Sequence, residues 1–229
     1  MTTSTIRPKD RDAVIQSLRA GVVPRTGQHL VQVGRTREIE TLVTDVDRIA
    51  DGGSAFRLVV GEYGAGKTFF LNLVRAVAME KKLVVASADL NPDRRLHASG
   101  GQARSLYAEL MRSLATRTRP DGGALGGIVE KFIATAKTEA KTTGLPTEVV
   151  LRQKLDQLTE LVNGYDFADV IAAYCRGFED GNERLKSDAV RWLRGEFTTK
   201  TDAKLALGVR TIVDDAAVYD QLKLMARFI

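Results

Sequence analysis

Residues 61–68 read Gly-Glu-Tyr-Gly-Ala-Gly-Lys-Thr, with glycines at 61, 64 and 66 followed at once by Lys67 and Thr68. Glycine at this density lets a chain take positive φ and curl tightly without Cβ clashes. Before the loop stands Phe56-Arg57-Leu58-Val59-Val60, a short β-prone run; after it, Phe69 to Ala78 carries apolar residues at helical spacing. The segment therefore predicts a strand, a glycine loop and a helix, in that order. The pattern GxxxxGK[ST] arises by accident in about one chain in a hundred of this length, and its flanks make accident less plausible still.

Such a loop aims consecutive backbone N–H groups at one point beside a helix N-terminus, where phosphate oxygens are favoured. A lysine on a flexible stem can then reach the β and γ phosphates, and a hydroxyl in the first helical turn can ligate magnesium. On this reading Gly61, Glu62, Tyr63, Gly64, Ala65, Gly66, Lys67, Thr68 and Phe69 form the nucleotide site. Lys67 and Thr68 are the catalytic candidates, Thr68 is the Mg²⁺ ligand, and the cofactors are ATP and Mg²⁺.

With 229 residues and 44% hydrophobic content, the chain can bury a sizeable core. No apolar run approaches the eighteen or so residues of a membrane span, and the polar start MTTSTIRPKDRD has no signal-peptide core, so a cytoplasmic protein without membrane partners is expected. Cys175 is the single cysteine and falls in a helical stretch, where a buried structural thiol is expected. His29 and His97 lack companions at metal-binding spacing. The net charge of +5 is compatible with a nucleic-acid partner without demonstrating one. Arginines at 94, 95, 104, 112, 117 and 119 make the most basic stretch; it reads as the charged exterior of a helix, or as a source of phosphate contacts or arginine fingers.

Further along, Arg11–Leu18 predicts a short helix, followed by a Gly/Pro connector from Gly21 to Gly27. His29–Arg35 reads as extended, and Ile39, Leu42, Val43, Val46 and Ile49 mark one face of a helix that stops at Gly52-Gly53. Leu83-Val84-Val85-Ala86-Ser87-Ala88-Asp89 predicts a second buried strand. Helices are predicted over Gln102–Leu114, Ile128–Lys141, Thr147–Val162, Phe167–Phe178, Glu183–Gly195 and Asp215–Phe228. The resulting expectation is an α/β, AAA-like P-loop core with parallel strands and a large helical insertion. It divides into residues 1–28 (N-terminal helix and connector), 29–92 (nucleotide-binding core) and 93–229 (helical region of the same ATPase domain).

Hydrolysis also calls for a strand ending in an acid that holds magnesium through water. Asp89 ends a predicted strand but is followed by Leu90, so the acidic pair is missing. Thr211-Ile212-Val213-Asp214-Asp215 is the other candidate, and a turn whose aspartates cap the following helix explains both acids equally well. The expectation is an N-terminal part of a longer ATPase that lacks its Walker-B strand.

Val33-Gly34-Arg35-Thr36-Arg37-Glu38 resembles the Val-Gly-Arg-x-x-Glu element that lines the adenine pocket in ATPases of the AAA-like and origin-recognition type. That likeness places Val33, Gly34 and Arg35 against adenine. More broadly, this element with GEYGAGKTFFL at 61–71, GQARSLYAEL at 101–110, PDGGAL at 120–125, Trp192-Leu193-Arg194-Gly195-Glu196, Lys204 and ALGVR at 206–210 resembles the ATP-binding proteins of bacteriophage-exclusion (BREX) systems. The resemblance spans roughly residues 10–229. It implies an ATPase working beside a DNA methyltransferase and other large proteins in distinguishing phage DNA from host DNA, with DNA, other defence-system proteins and further copies of itself as partners. Two other classes stay open on the residues alone. One is a nucleotide-regulated DNA-binding or adaptor protein without turnover; the other is a small-molecule kinase using Asp89.

Overall fold

The computed structural model describes residues 7–229 except 23, 25, 26, 28–30, 32, 33, 98 and 99. Among these residues the regular structure is helical: α1 (Pro8–Arg19), α2 (Thr36–Ala50), α3 (Lys67–Glu80), α4 (Gln102–Ser113), α5 (Leu125–Thr143), α6 (Thr147–Thr159), α7 (Gly164–Glu179), α8 (Glu183–Leu193), α9 (Lys200–Leu207) and α10 (Val218–Phe228). They fall into two compact units, Met1–Leu83 and Val84–Ile229.

In the first unit, α2 and α3 pack through their apolar stripes. Ile39, Leu42, Val43 and Val46 meet Leu73, Val74 and Val77, the i, i+3, i+4, i+7 spacing that places side chains on one helical face. The stripe ends where Gly52 adopts φ 83° and the Gly53 N–H donates to the Arg48 carbonyl at 2.8 Å, so the last carbonyls of α2 are satisfied by the turn itself. Arg57 makes a two-point ion pair with Asp45, whose side chain is nearly buried on α2, and this ties the segment before the glycine loop to that helix. The Arg57 guanidinium holds the Asp45 carboxyl below its ordinary range.

The second unit holds a continuous apolar core drawn from α4 to α10. Its largest fully buried side chains are Trp192, Tyr107 and Phe167. The Phe167 ring meets Trp192 edge-on at 6.5 Å and Phe228 at 5.4 Å, and burial of a ring of this kind contributes about 2–3 kcal/mol. Their polar atoms are accounted for. Trp192 Nε1 donates to the Thr211 carbonyl at 2.8 Å, and the Tyr107 hydroxyl donates to the Leu193 carbonyl at 2.7 Å. Local signals set the helix ends: the Asn182 side chain accepts from the Leu185 N–H at the start of α8, Thr199 does the same for Asp202 at α9, and Gly144 ends α5 at φ 72°.

The α/β expectation fails. Among the described residues no strand or sheet forms; the pairings are isolated antiparallel bridges, Val85 with Ala115, Asn91 with Arg94 and Thr116 with Arg119. The predicted strand before the loop is extended but unladdered, with Phe56 88%, Leu58 78% and Val60 83% exposed. The predicted strand at 83–89 contributes one residue, Val85, to one bridge. The reason is physical. A helix closes its hydrogen bonds within its own segment, whereas a strand exists only where another segment offers N–H and C=O groups in register over several residues. Apolar alternation can announce that a run suits a sheet, but it cannot supply the neighbour. Of the extended reading of 29–35, positions 29, 30, 32 and 33 lie outside the described residues, while Val31 is helical and Gly34 and Arg35 are left-handed at φ 73° and 56°, so the described part of it is not extended. Lys200–Leu207, which carried no helix prediction, forms α9.

Candidate functional site

The glycine loop retains the part of its predicted form that chain chemistry alone can enforce. Gly64 and Gly66 take φ of 81° and 82°, and α3 begins at Lys67 immediately beyond. Both angles lie in the left-handed region that side chains with a Cβ resist. Between them the Ala65 N–H donates to the Glu62 carbonyl at 3.2 Å, closing a turn. Lys67 folds back across the loop, its Nζ donating to the Gly61 and Glu62 carbonyls at 2.8 Å each. The ammonium thus sits at the loop's mouth on two neutral acceptors. An anion would bind such a cation more strongly than a carbonyl does, since two opposite unit charges attract each other more than a charge attracts a neutral dipole.

A cavity of about 540 Å³ adjoins the loop, within the range of small-molecule sites. Its wall includes Leu18, Val22, Pro24, Val31, Ile39 and Phe69, with Gly34, Arg35, Ala65 and Gly66 at the loop side. The connector, the Gly34-Arg35 turn and the loop-helix junction, separate in sequence, therefore converge on one apolar hollow. Val33 lies outside the described residues. Glu62, Tyr63, Gly64 and Thr68 are exposed, Tyr63 completely so. Arg35 projects onto the loop rather than away from it: its guanidinium donates to the Ala65 carbonyl at 2.5 Å.

The acids weighed for magnesium are placed differently. Asp89 is exposed in irregular backbone of the second unit. Asp214 accepts from the Ala217 N–H at 3.0 Å and caps the turn before α10, as its sequence context suggests. Asp215 instead serves a distant helix, accepting from the Gly101 N–H at 2.5 Å and the Arg104 N–H at 2.9 Å at the head of α4. Burial pushes the Asp215 carboxyl up, but the amides of Arg104, Gly101 and Ala103 outweigh it and leave the pKa below the ordinary value. Among the described residues no group of three or more His, Cys, Asp or Glu side chains is assembled to hold a metal ion.

In the basic stretch, Arg94 pairs with Glu109 at 3.4 Å and Arg112 with Glu196 at 3.1 Å, while Arg119 donates to the Gly123 carbonyl at 3.5 Å. Arg95 and Arg117 are exposed. Cys175 is a buried free thiol within α7, pushed up to about 11 chiefly by burial. Among the described residues no helix is long and apolar enough to cross a membrane.

Sequence reasoning missed Asp215 as the cap of α4 and the Arg35 contact with the loop carbonyl. The missing side chain at Gly101, the residue preceding α4, was the available signal for the first. A helix start without its own capping group takes an acceptor from elsewhere. Residues 6–229 match the family described as BREX system ATP-binding protein BrxC/D. No curated protein and no solved structure matches the chain.

Proposed function

This chain belongs to the BREX system ATP-binding protein BrxC/D family, and from that premise we propose that residues 61–68 are the Walker A loop through which it binds Mg–ATP. Membership makes it an ATP-binding component of a multi-protein phage-defence system. The loop amides from Glu62 to Thr68 cradle the phosphates, Lys67 neutralises the β and γ charge, and Thr68 ligates Mg²⁺. The adjoining apolar hollow, with Gly34 on its wall, takes the adenine.

One observation carries this reading. Two left-handed glycines feed directly into the first turn of α3, with the Lys67 ammonium held at the mouth on carbonyls that an anion can displace. Residues 29–92 form the nucleotide core and 93–229 the helical region of the same protein. The protein hydrolyses ATP in the cytoplasm and works with DNA, other defence proteins and further copies of itself.

Lys67→Ala tests the binding step. Isothermal titration with Mg–ATP should show saturable binding in the natural protein and at least about a hundredfold weaker binding in the variant, since a desolvated phosphate contact to a cation is worth about 3 kcal/mol. Equal affinity in the two proteins refutes the assignment. A second reading, a nucleotide-regulated DNA-binding or adaptor protein without turnover, draws on exposed Arg95 and Arg117 in the basic stretch. Phosphate release with and without DNA separates it from the first.

A further inference from the structure

We propose that Arg35 is a positioning residue for the glycine loop: it binds the loop's own backbone, orders the amide that meets phosphate, and does not read the base. The proposal deepens the Mg–ATP reading given above and rests on it for its ligand, though not for its first test.

Three observations converge on Arg35. Its backbone is left-handed at φ 56°, as is Gly34 at φ 73°. A side chain bearing a Cβ avoids that region unless its surroundings compel it, and such outliers gather at functional sites. Arg35 immediately precedes α2 and offers that helix no side-chain cap, so local capping does not explain the conformation. The guanidinium then reaches thirty positions along the chain to donate to the Ala65 carbonyl at 2.5 Å. A Cβ built on Gly66 would stand 3.9 Å from both terminal nitrogens of Arg35, so the guanidinium lies alongside the peptide that joins Ala65 to Gly66.

The consequence follows from the geometry of a trans peptide, in which C=O and the next N–H point in opposite directions. Holding the Ala65 carbonyl toward Arg35 turns the Gly66 N–H away from Arg35. That N–H is one of the donors a phosphate needs. Gly66, with φ 82°, is also the residue most able to flip this peptide if nothing restrains it. Arg35 supplies the restraint. A guanidinium suits the task because it is always charged and its fork is preorganised, so little rotational freedom is lost per bond.

The first test needs no nucleotide. Hydrogen exchange of the full chain, natural and Arg35→Met, is compared at the amides of residues 61–67. The expected result is exchange about tenfold faster in Arg35→Met, with α2 and α3 unaltered and with partial recovery in Arg35→Lys, whose ammonium can reach a carbonyl but cannot fork. Unchanged protection at 61–67 overturns the proposal.

The second test compares ATP, inorganic tripolyphosphate and adenosine. Arg35→Met should weaken ATP and tripolyphosphate by about tenfold and adenosine by much less, since only the first two carry the phosphates that meet the ordered amide. Equal weakening of ATP and adenosine would mean that Arg35 touches the base, and overturns the proposal. If the natural protein binds no ATP, the phosphate reading fails by itself, and the exchange comparison still decides the role of Arg35.

Discussion

Asp215→Ala removes the carboxylate that stands in for a capping side chain at the head of α4. Gly101 precedes that helix and carries no side chain, so two of the N–H groups at its start, those of Gly101 and Arg104, depend on Asp215 at 2.5 and 2.9 Å. A capping acceptor is worth about 1 kcal/mol, and a negative charge at a helix N-terminus adds about 0.3–1 kcal/mol. The long-range origin of this cap also closes α4 onto the segment before α10, so a loss of about 2 kcal/mol is expected for Asp215→Ala. Asp215→Asn keeps an acceptor without the charge and should lose about half as much.

The chain has one tryptophan, Trp192, buried in the second unit, so its fluorescence during urea or thermal unfolding reports that unit alone. At this size about 2 kcal/mol corresponds to a fall of about 4–8 °C in Tm. The pH dependence has a definite sign. The folded Asp215 carboxyl titrates below its ordinary value, so its stabilisation is complete above about pH 4 and disappears as pH falls through the folded pKa. The gap between natural protein and Asp215→Asn should therefore close in acid. Coincident unfolding curves at pH 7 for the natural protein and Asp215→Ala would refute the capping argument, as would a gap that persists undiminished at pH 2.

Two further outcomes test the packing of the second unit. Cys175, buried and pushed up to about 11, should resist a thiol-specific disulfide reagent at pH 8 in the folded protein and react once urea unfolds it; because the unfolded thiol ionises near pH 8.5, its stabilising contribution is whole below that pH and erodes up to about pH 11. Gly164→Ala would place a Cβ 1.8 Å from the Leu158 carbonyl oxygen, a backbone atom that cannot swing aside, so Trp192-monitored unfolding should show a loss of about 3 kcal/mol or more, and an unchanged midpoint would contradict the packing of α6 against α7.

The helical half of the chain was legible because a helix writes its own boundaries. Leu151, Leu155 and Leu158 lie on one buried stripe of α6, as their spacing indicates, whereas Val162, assigned to the same stripe, stands beyond the helix end at Thr159 and is 60% exposed; the Gly144-Leu145-Pro146 break separates α5 from α6. The loop was legible for a similar reason: Gly64 and Gly66 permit the left-handed turn, and α3 starts at Lys67, two residues before Phe69, where the apolar spacing begins. The Val-rich runs misled. Leu58, Val60 and Val85 have strand character, yet no neighbouring segment offers them a ladder among the described residues.

What the order of amino acids determined by itself is therefore everything closed within about a dozen residues: the apolar stripes, the helix stops at Gly52 and Gly144, and the glycine loop poised at a helix N-terminus. What only the tertiary structure decided is who completes an unfinished local element. Asp215 supplies an acceptor to a helix more than a hundred residues earlier, and Arg35 reaches a carbonyl thirty residues away. The physical reason is the same in each case. An i to i−4 bond is dictated by backbone geometry, whereas a strand partner, a distant carboxylate or a distant guanidinium is chosen by where the packed helices happen to bring it.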